Sequence, residues 1–360
     1  MRSEEAVALR AVEVLGTGTS LPGPALTTGE VLARVAPHLP ANAGPWARRI
    51  AQRLAIETRH LSRSLAEPIE AVRAADSAPR LAARALRAAL AEAGARVDKI
   101  EFLIGHTATP HTLLPSNTAW TADELGYGGP HVELRQACSG FAASVLLADG
   151  LLATSARAVA IVGSETGSVF FDPRRIADDR SQIVNLVQMG DGAGAALLGP
   201  LRDESRSRIE RPFYGSLGLG RTPGLALEQG GSGSPLVANG GLPHFTHRHE
   251  DIRAHGLTPL RACLAAAQVQ GVDLGMVEWF VPHPANGRMA GVCAEHLGLP
   301  EDRVVCDAGR VGNLGSAAIW VALDRLRRSG RLQPGHRVLV LGAEATKYLY
   351  GGFLYVHGAN

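Results

Sequence analysis

The chain repeats itself, and that echo limits what it can fold into. "VDKIEFLIGHTATP", from Val97, and "VDLGMVEWFVPHPAN", from Val272, share one plan: an Asp, a short apolar run, then a His just past its end. Each follows an alanine-rich stretch of helical character, "APRLAARALRAALAEAGAR" and "LTPLRACLAAAQVQG". Further on, "ARAVAIVGSE" ends at Glu165 and "GHRVLVLGAE" at Glu344, and both aliphatic runs read as buried strands. The spacings agree: His106 to Cys138 spans 32 residues and His283 to Asn313 spans 30, while Cys138 to Glu165 spans 27 and Asn313 to Glu344 spans 31. The pattern predicts two similar α/β halves, 1–200 and 201–360, with mostly parallel sheets covered by helices.

Ligands in such folds sit beyond the C-terminal ends of the strands. The repeat therefore points Cys138, His283 and Asn313, drawn from both halves, towards one site. Cys138 opens "CSGFAASVLLADGLL", just before a helix. A free cysteine is often a small buried core residue, and that reading stays open for Cys138 taken alone. The other reading is a nucleophile: free N–H groups and the positive end of a helix dipole favour a thiolate, by up to roughly one pKa unit. Gly140 leaves room beside the sulfur. His283, between Pro282 and Pro284, sits on a stiffened backbone that suits a ring held in one direction. Asn313, in "GRVGNLGSAA", offers an amide N–H₂ donor that does not titrate. A structural turn is its alternative.

Composition narrows the setting. A chain of 360 residues, 46% hydrophobic and 19% charged, can bury about three quarters of its surface without staples. Its four cysteines, Cys138, Cys263, Cys293 and Cys306, form no CxxC pair, which argues against a disulfide framework or a cysteine-based zinc site. A net charge of +2 makes no case for nucleic acid. No run approaches the roughly eighteen apolar residues of a membrane span. The stretch "MRSEEAVALRAVEVLG" has early acids and no long apolar core, so it is not read as a signal peptide, and the cytoplasm is expected.

The ordered set "ACSGF", "VPHPAN" and "GNLGSAA", with "GDGAGAALLG" between Gly190 and Gly199, resembles the thiolase superfamily, and most of all β-ketoacyl-acyl-carrier-protein synthase III. The likeness runs from "VEVLGTGTSLPG" to "GGFLYV". It implies a thiolase-like fold, two pseudo-duplicated α/β halves in a layered α-β-α-β-α sandwich. It implies an acyltransferase that loads an acyl group from coenzyme A or a carrier protein onto Cys138. A malonyl thioester, on a carrier protein or coenzyme A, then loses carbon dioxide, and His283 and Asn313 donate hydrogen bonds to the enolate oxygen. No cofactor beyond these thioester substrates is expected. The expected assembly is a homodimer.

Nothing after Cys306 is a cysteine, unlike degradative thiolases, and the Gly-Phe-Gly-Pro-Gly loop of plant-type chalcone synthases is absent. Relatives that pass the acyl group to an alcohol or amine without condensing often alter the nucleophile or the asparagine. The intact Asn313 therefore leans towards condensation, with simple acyl transfer and a catalytically silent partner subunit as alternatives. Three departures stand out. "LGAEATKYLYGGF" replaces a Gly-rich loop, leaving the second oxyanion donor near Ala345 open, and Pro284 follows the histidine where glutamine is common. "FDPRRIADDRSQIVNLVQMGDG" is long, which tilts the reading from fatty-acid initiation towards polyketide or other specialised metabolism. The resemblance also nominates Arg288 and its neighbour Asn286 for phosphopantetheine or carrier-protein contact. It nominates Trp46 for stacking on adenine, and Leu114 for closing a neighbouring subunit's acyl pocket. Trp46 and Leu114 serve equally as packing residues, and Arg288 equally as a solvated surface cation. "LPHFTHRHEDIRAH", with His244, His247, His249 and His255, reads as a polar loop, because its spacing matches no helical metal motif.

Overall fold

The computed structural model describes residues 11–66, 73–154, 156–179, 181–235 and 242–359. The stretch tested above for a signal peptide falls largely in residues 1–10, outside the described residues. Nine strands make one sheet: β1 (Val12–Ser20), β4 (Phe102–His106), β5 (His131–Leu134), β6 (Val159–Glu165), β7 (Gly192–Pro200), β8 (Arg208–Ser216), β11 (Trp279–Pro282), β12 (Arg337–Glu344) and β13 (Leu349–Val356). Two short pairs stand apart: β2 (Leu26–Thr27) with β3 (Thr58–Arg59), and β9 (Leu225–Leu227) with β10 (Phe245–His247).

The strand order is β5-β4-β6-β7-β1, then β8-β13-β12-β11, which reads almost the same from either end. An isolated parallel bridge from Phe280 to Val304 stands beside β11 where β5 stands beside β4. The echo in the sequence is thus a duplicated sheet, joined where β1 pairs with β8.

The expectation of mostly parallel sheets is corrected. Only β4–β5, β4–β6 and β11–β12 run parallel; β6–β7, β7–β1, β1–β8, β8–β13 and β13–β12 are antiparallel. Between β12 and β13 lie only residues 345–348, and a link that short can only turn the chain back on itself. Both sheet faces are nevertheless covered, so these antiparallel strands carry the continuous apolar runs usual for parallel ones.

Two helices form the middle layer, Gly140–Thr154 and Ala318–Arg328. The first is apolar almost all round, with Gly140, Phe141, Ala142, Ser144, Val145, Ala148 and Asp149 buried and Leu147 exposed. Phe141 meets Trp320 and Phe353 edge-on at centroid distances of 6.2 and 5.6 Å, so one aromatic cluster ties both helices to β13. Each fully buried ring of this kind contributes about 1.5–3 kcal/mol from surface removed from water. The outer faces are covered by the alanine-rich helices that the sequence marked, Ala78–Glu92 on one half and Leu257–Val269 on the other. The result is helix, sheet, helix, sheet, helix. No described helix is long and apolar enough to cross a membrane.

Candidate active site

Strand ends and helix starts meet at one place. Cys138 lies two residues before the Gly140–Thr154 helix, and Asn313 lies shortly before the Ala318–Arg328 helix. Both line a cavity of about 530 Å³ whose wall is mainly apolar: Leu113, Phe170, Met189, Leu225, Leu227 and Phe245 contribute to it. The 171–192 segment, flagged for its length, contributes Met189 to this wall, and Phe170 immediately precedes it.

Asn313 is held by the opposite half. Its N–H donates to the carbonyl of Gln188 (2.9 Å), and its carbonyl accepts from the N–H of Gly190 (3.0 Å). Its Oδ1 accepts from the N–H of Gly315 (3.0 Å), which leaves the amide nitrogen to donate elsewhere. His283 follows β11; its N–H donates to the carbonyl of Leu341 (2.7 Å), and its ring lies beside the Asn313 side chain. Burial lowers the imidazole to about 4, so at neutral pH the ring is uncharged and donates from one nitrogen only. Its Nδ1 is buried and has no hydrogen-bond partner among the described residues.

At Cys138 the helix-start preference for a thiolate, too small by itself to activate the thiol fully, meets an opposing environment. The thiol is pushed well above its ordinary range, by burial first, then by the charges of Glu344 and Glu165. A helix dipole acting over one turn is worth too little to offset the loss of solvent and two nearby carboxylates.

Those carboxylates were missed as site residues, although the sequence marked both as strand ends. Glu344 Oε2 accepts from the N–H and Oγ–H of Ser139, at 3.0 and 2.6 Å. Glu165 Oε2 accepts from the N–H and Oγ–H of Ser316, at 3.0 and 2.7 Å. Thr346 and Thr109 donate to the second oxygen of Glu344 and Glu165 respectively. Each half thus grips the helix start of the other in the same way. This matching of Ser139 with Ser316 shifts the register of the echo. Asn313 pairs with Gln136, and Cys138 pairs with Gly315, rather than Cys138 with Asn313 as the spacing suggested.

The remaining nominated residues lie elsewhere. Trp46, on the helix Ala43–Leu54, packs against an apolar cluster and lines a separate recess of about 90 Å³ with Pro40, Asn42 and Ile176. Arg288 donates to the carbonyls of Arg53 (2.7 Å) and Gln52 (3.3 Å), close to where that helix ends, and Asn286 Oδ1 accepts the N–H of Arg288 (2.9 Å). Leu114 is 88% exposed and not part of the cavity wall; its neighbour Leu113 is. Ala345 is flanked by two wall residues, Glu344 and Thr346, and its own carbonyl accepts from the N–H of Gly224 (2.9 Å). The histidine-rich stretch, read as a polar loop, instead forms strand β10 and the helix His249–His255; His247 is buried with Nδ1 2.6 Å from Asn185 Oδ1, and the ring of His255 packs edge-on against Tyr348.

A duplicated sheet around two central helices, with a cysteine at one helix start and an Asn–His pair at the other, defines a condensing enzyme of the thiolase superfamily. Comparison with known proteins agrees. Residues 132–217 match the family described as 3-oxoacyl-[acyl-carrier-protein] synthase III, and residues 267–354 match its C-terminal counterpart. The chain is 29% identical over 339 residues to beta-ketoacyl-[acyl-carrier-protein] synthase III of Rhodospirillum rubrum, covering 91% of this chain and 94% of that one. Among solved structures, AbyA1, a tetronic acid condensing enzyme, superposes with TM-score 0.80 at 26% identity, covering 96% of this chain and 99% of AbyA1. The 3-oxoacyl-(acyl carrier protein) synthase III, FabH, of Pseudomonas aeruginosa superposes with TM-score 0.78 at 26% identity, covering 97% and 99%. In both halves the chain is thus similar to the synthase III condensing enzymes, an acyltransferase class.

Proposed function

We propose that this enzyme forms a carbon–carbon bond by decarboxylative Claisen condensation of two thioesters. The Cys138 sulfur attacks the carbonyl of an acyl thioester, carried by coenzyme A or a carrier protein. The acyl C–S bond to the carrier breaks, and the thiol proton leaves with the released carrier thiol. A malonyl thioester then loses carbon dioxide, and negative charge develops on its thioester oxygen. His283 and Asn313, both neutral, donate to that oxygen. The enolate carbon attacks the acyl carbonyl, the bond to the Cys138 sulfur breaks, and the sulfur regains a proton. No cofactor enters this sequence.

The observation that carries the reading is that Cys138 and Asn313 share one cavity wall, with the His283 ring beside Asn313. Neutral donors suit this role, because a cation there would bind the charged malonyl group in the ground state as well as the enolate. The apolar wall suits an aliphatic or aromatic acyl group, and the likeness to AbyA1 favours a specialised rather than a housekeeping product. The carrier protein and the homodimer belong to the same proposal; the exposed Leu113 and Leu114 beside the cavity supply a surface for a second subunit.

Incubation with a panel of acyl thioesters, followed by intact-mass measurement, should give one acyl adduct that Cys138→Ala abolishes. Adding malonyl thioester should release carbon dioxide and a β-ketoacyl product. An ester or amide product without carbon dioxide would replace condensation by simple acyl transfer. Absence of any adduct would make the chain a silent subunit.

A further inference from the structure

The cavity that holds Cys138 is bounded on one side by the short pair β9–β10, in which Phe245 lies opposite Leu227 and His247 opposite Leu225. Leu225, Leu227, Pro243 and Phe245 all line it. Two three-residue strands standing apart from the main sheet do not hold their own place, because an isolated pair of strands is marginal in water. Contacts outside the pair must fix where this wall stands.

On the β9 side the N–H of Gly224 donates to the carbonyl of Ala345 (2.9 Å). On the β10 side the long 171–192 segment does the holding. Gln182 Nε2 and Asn185 Nδ2 both donate to the carbonyl of Phe245, at 3.0 and 3.3 Å. Asn185 Oδ1 lies 2.6 Å from His247 Nδ1; a carboxamide oxygen only accepts, so that ring nitrogen carries the proton. Gln182 Nε2 also donates to Asp179 Oδ2 (2.8 Å), and Arg175 donates to the carbonyls of Leu242 and Pro243, the latter at 3.2 Å. Both carboxamides are buried, Asn185 at 1% exposed and Gln182 at 6%. A buried amide that loses its partner is costly, so these bonds define one place for β10. The Phe245 ring then stands edge-on to Phe171, with centroids 6.2 Å apart.

We propose that Gln182 and Asn185 are positioning residues for the acyl cavity. Through the Phe245 carbonyl they hold β10 and its phenyl ring in one place on the wall, and so limit the size of acyl group that reaches Cys138. The inference rests on the reading that an acyl group occupies this cavity. Apolar contacts alone would let the ring slide, whereas two directional bonds to one carbonyl do not. Neither amide is among the wall residues, so both act through Phe245 and not on the substrate.

The test is a length series read at Cys138 in two ways. Saturated acyl-coenzyme A thioesters from acetyl to palmitoyl report loading by intact mass. N-alkylmaleimides of graded length report access to the sulfur by peptide mass, with no acyl transfer required. In the parent both rates should fall beyond a limiting length. Phe245→Ala should raise the rate of the first excluded chain, relative to the best parent chain, by about tenfold or more, the scale of one methylene in an apolar pocket. Asn185→Leu keeps the bulk and removes the bonds, and should raise the same ratio by about threefold or more, with Gln182→Leu smaller but in the same direction. A variant that only loosens the fold slows every length alike and leaves the ratio at the parent value. A ratio unchanged in Phe245→Ala, or in both amide variants, overturns the proposal, and so does a parent with no limiting length in the series. If circular dichroism shows Asn185→Leu unfolded, Gln182→Leu decides. A parent that takes no acyl adduct, with a maleimide ratio that still shifts in the variants, would end the condensing role and keep the wall-setting role of the amides. Acyl loading in the parent with neither ratio shifting would do the reverse.

Discussion

The two strand-end clusters are built to one plan and finished differently. In the first half the plan reads His106, Gln136, Cys138, Ser139 and Glu165; in the second it reads His283, Asn313, Gly315, Ser316 and Glu344. The serine–glutamate grips are nearly identical in length, which shows that the scaffold is shared. The differences are in what each helix start presents. Cys138 offers a sulfur, whereas Gly315 adopts φ +50° and a Cβ there would sit 2.6 Å from Glu165 Oε2. The second helix start therefore carries no side chain, and the Glu165 carboxylate fills that place.

The histidines diverge in the same way. His106 is sealed: Trp320 Nε1 donates to its Nε2 (3.1 Å), and a Cβ at Gly140 or Gly163 would fall within 2.5–2.7 Å of its ring. His283 instead lies beside Asn313, which lines the cavity. Duplication thus supplied two equivalent frames. Divergence gave the nucleophile to one and the donors to the other, and the first histidine became packing.

This asymmetry can be broken by exchanging effects between equivalent positions. The largest contrast is between the two amides. Asn313→Ala should keep acyl loading but lose condensation by about 10²–10³-fold, on the order of 3–4 kcal/mol for one lost donor to developing charge. Gln136→Ala should leave condensation within a few-fold of the parent. Equal losses in steady-state β-ketoacyl formation would end the claim that the halves differ in role. The next contrast is between chemistry and packing. His106→Ala removes the acceptor for a buried indole N–H and opens a void, at a cost of roughly 3 kcal/mol. Urea denaturation should show that loss, while the folded variant still acylates. A variant as stable as the parent but unable to acylate would mean that His106 is part of the chemistry.

The smallest effect is the pH dependence of stability. Both imidazoles stay neutral in the folded chain down to about 4 for His283 and about 3 for His106, against 6.5 in the unfolded chain. The unfolded state therefore binds protons first, and stability falls as pH drops from about 6.5 towards 4. Glu165 and Asp191 act the other way: burial raises both, so acidification relieves part of their cost. The net slope should be shallower than two imidazoles alone would give. His106→Ala should flatten it further in urea midpoints measured across that range. An unchanged slope would mean that His106 is already protonated when folded.

Much of this was legible in the chain. Apolar period and the repeated Asp-strand-His plan located the strands that end at His106, Glu165 and Glu344. They also located the outer and central helices, because those signals depend on neighbours in sequence. The residues Cys138, His283 and Asn313 stood out for the same reason, each beside glycines or prolines at an element boundary. Glu165 and Glu344 did not. A glutamate at a strand end is ordinary until it is seen gripping a serine of the other half, and Ser139 and Ser316 are separated from their partners by 205 and 151 residues. The same distance hid the true register of the repeat, which the serines set and the spacing missed.

Local order therefore came from the sequence itself: which stretches are strands and helices, that the pattern occurs twice, and which side chains carry chemistry. These follow from periodicity and from backbone preferences a few residues long. The burial that opposes the helix-start preference of Cys138 was decided by the tertiary structure, and so was the sealing of His106 against His283 beside the cavity. Burial and charge depend on groups that meet only when the two halves close around the same helices.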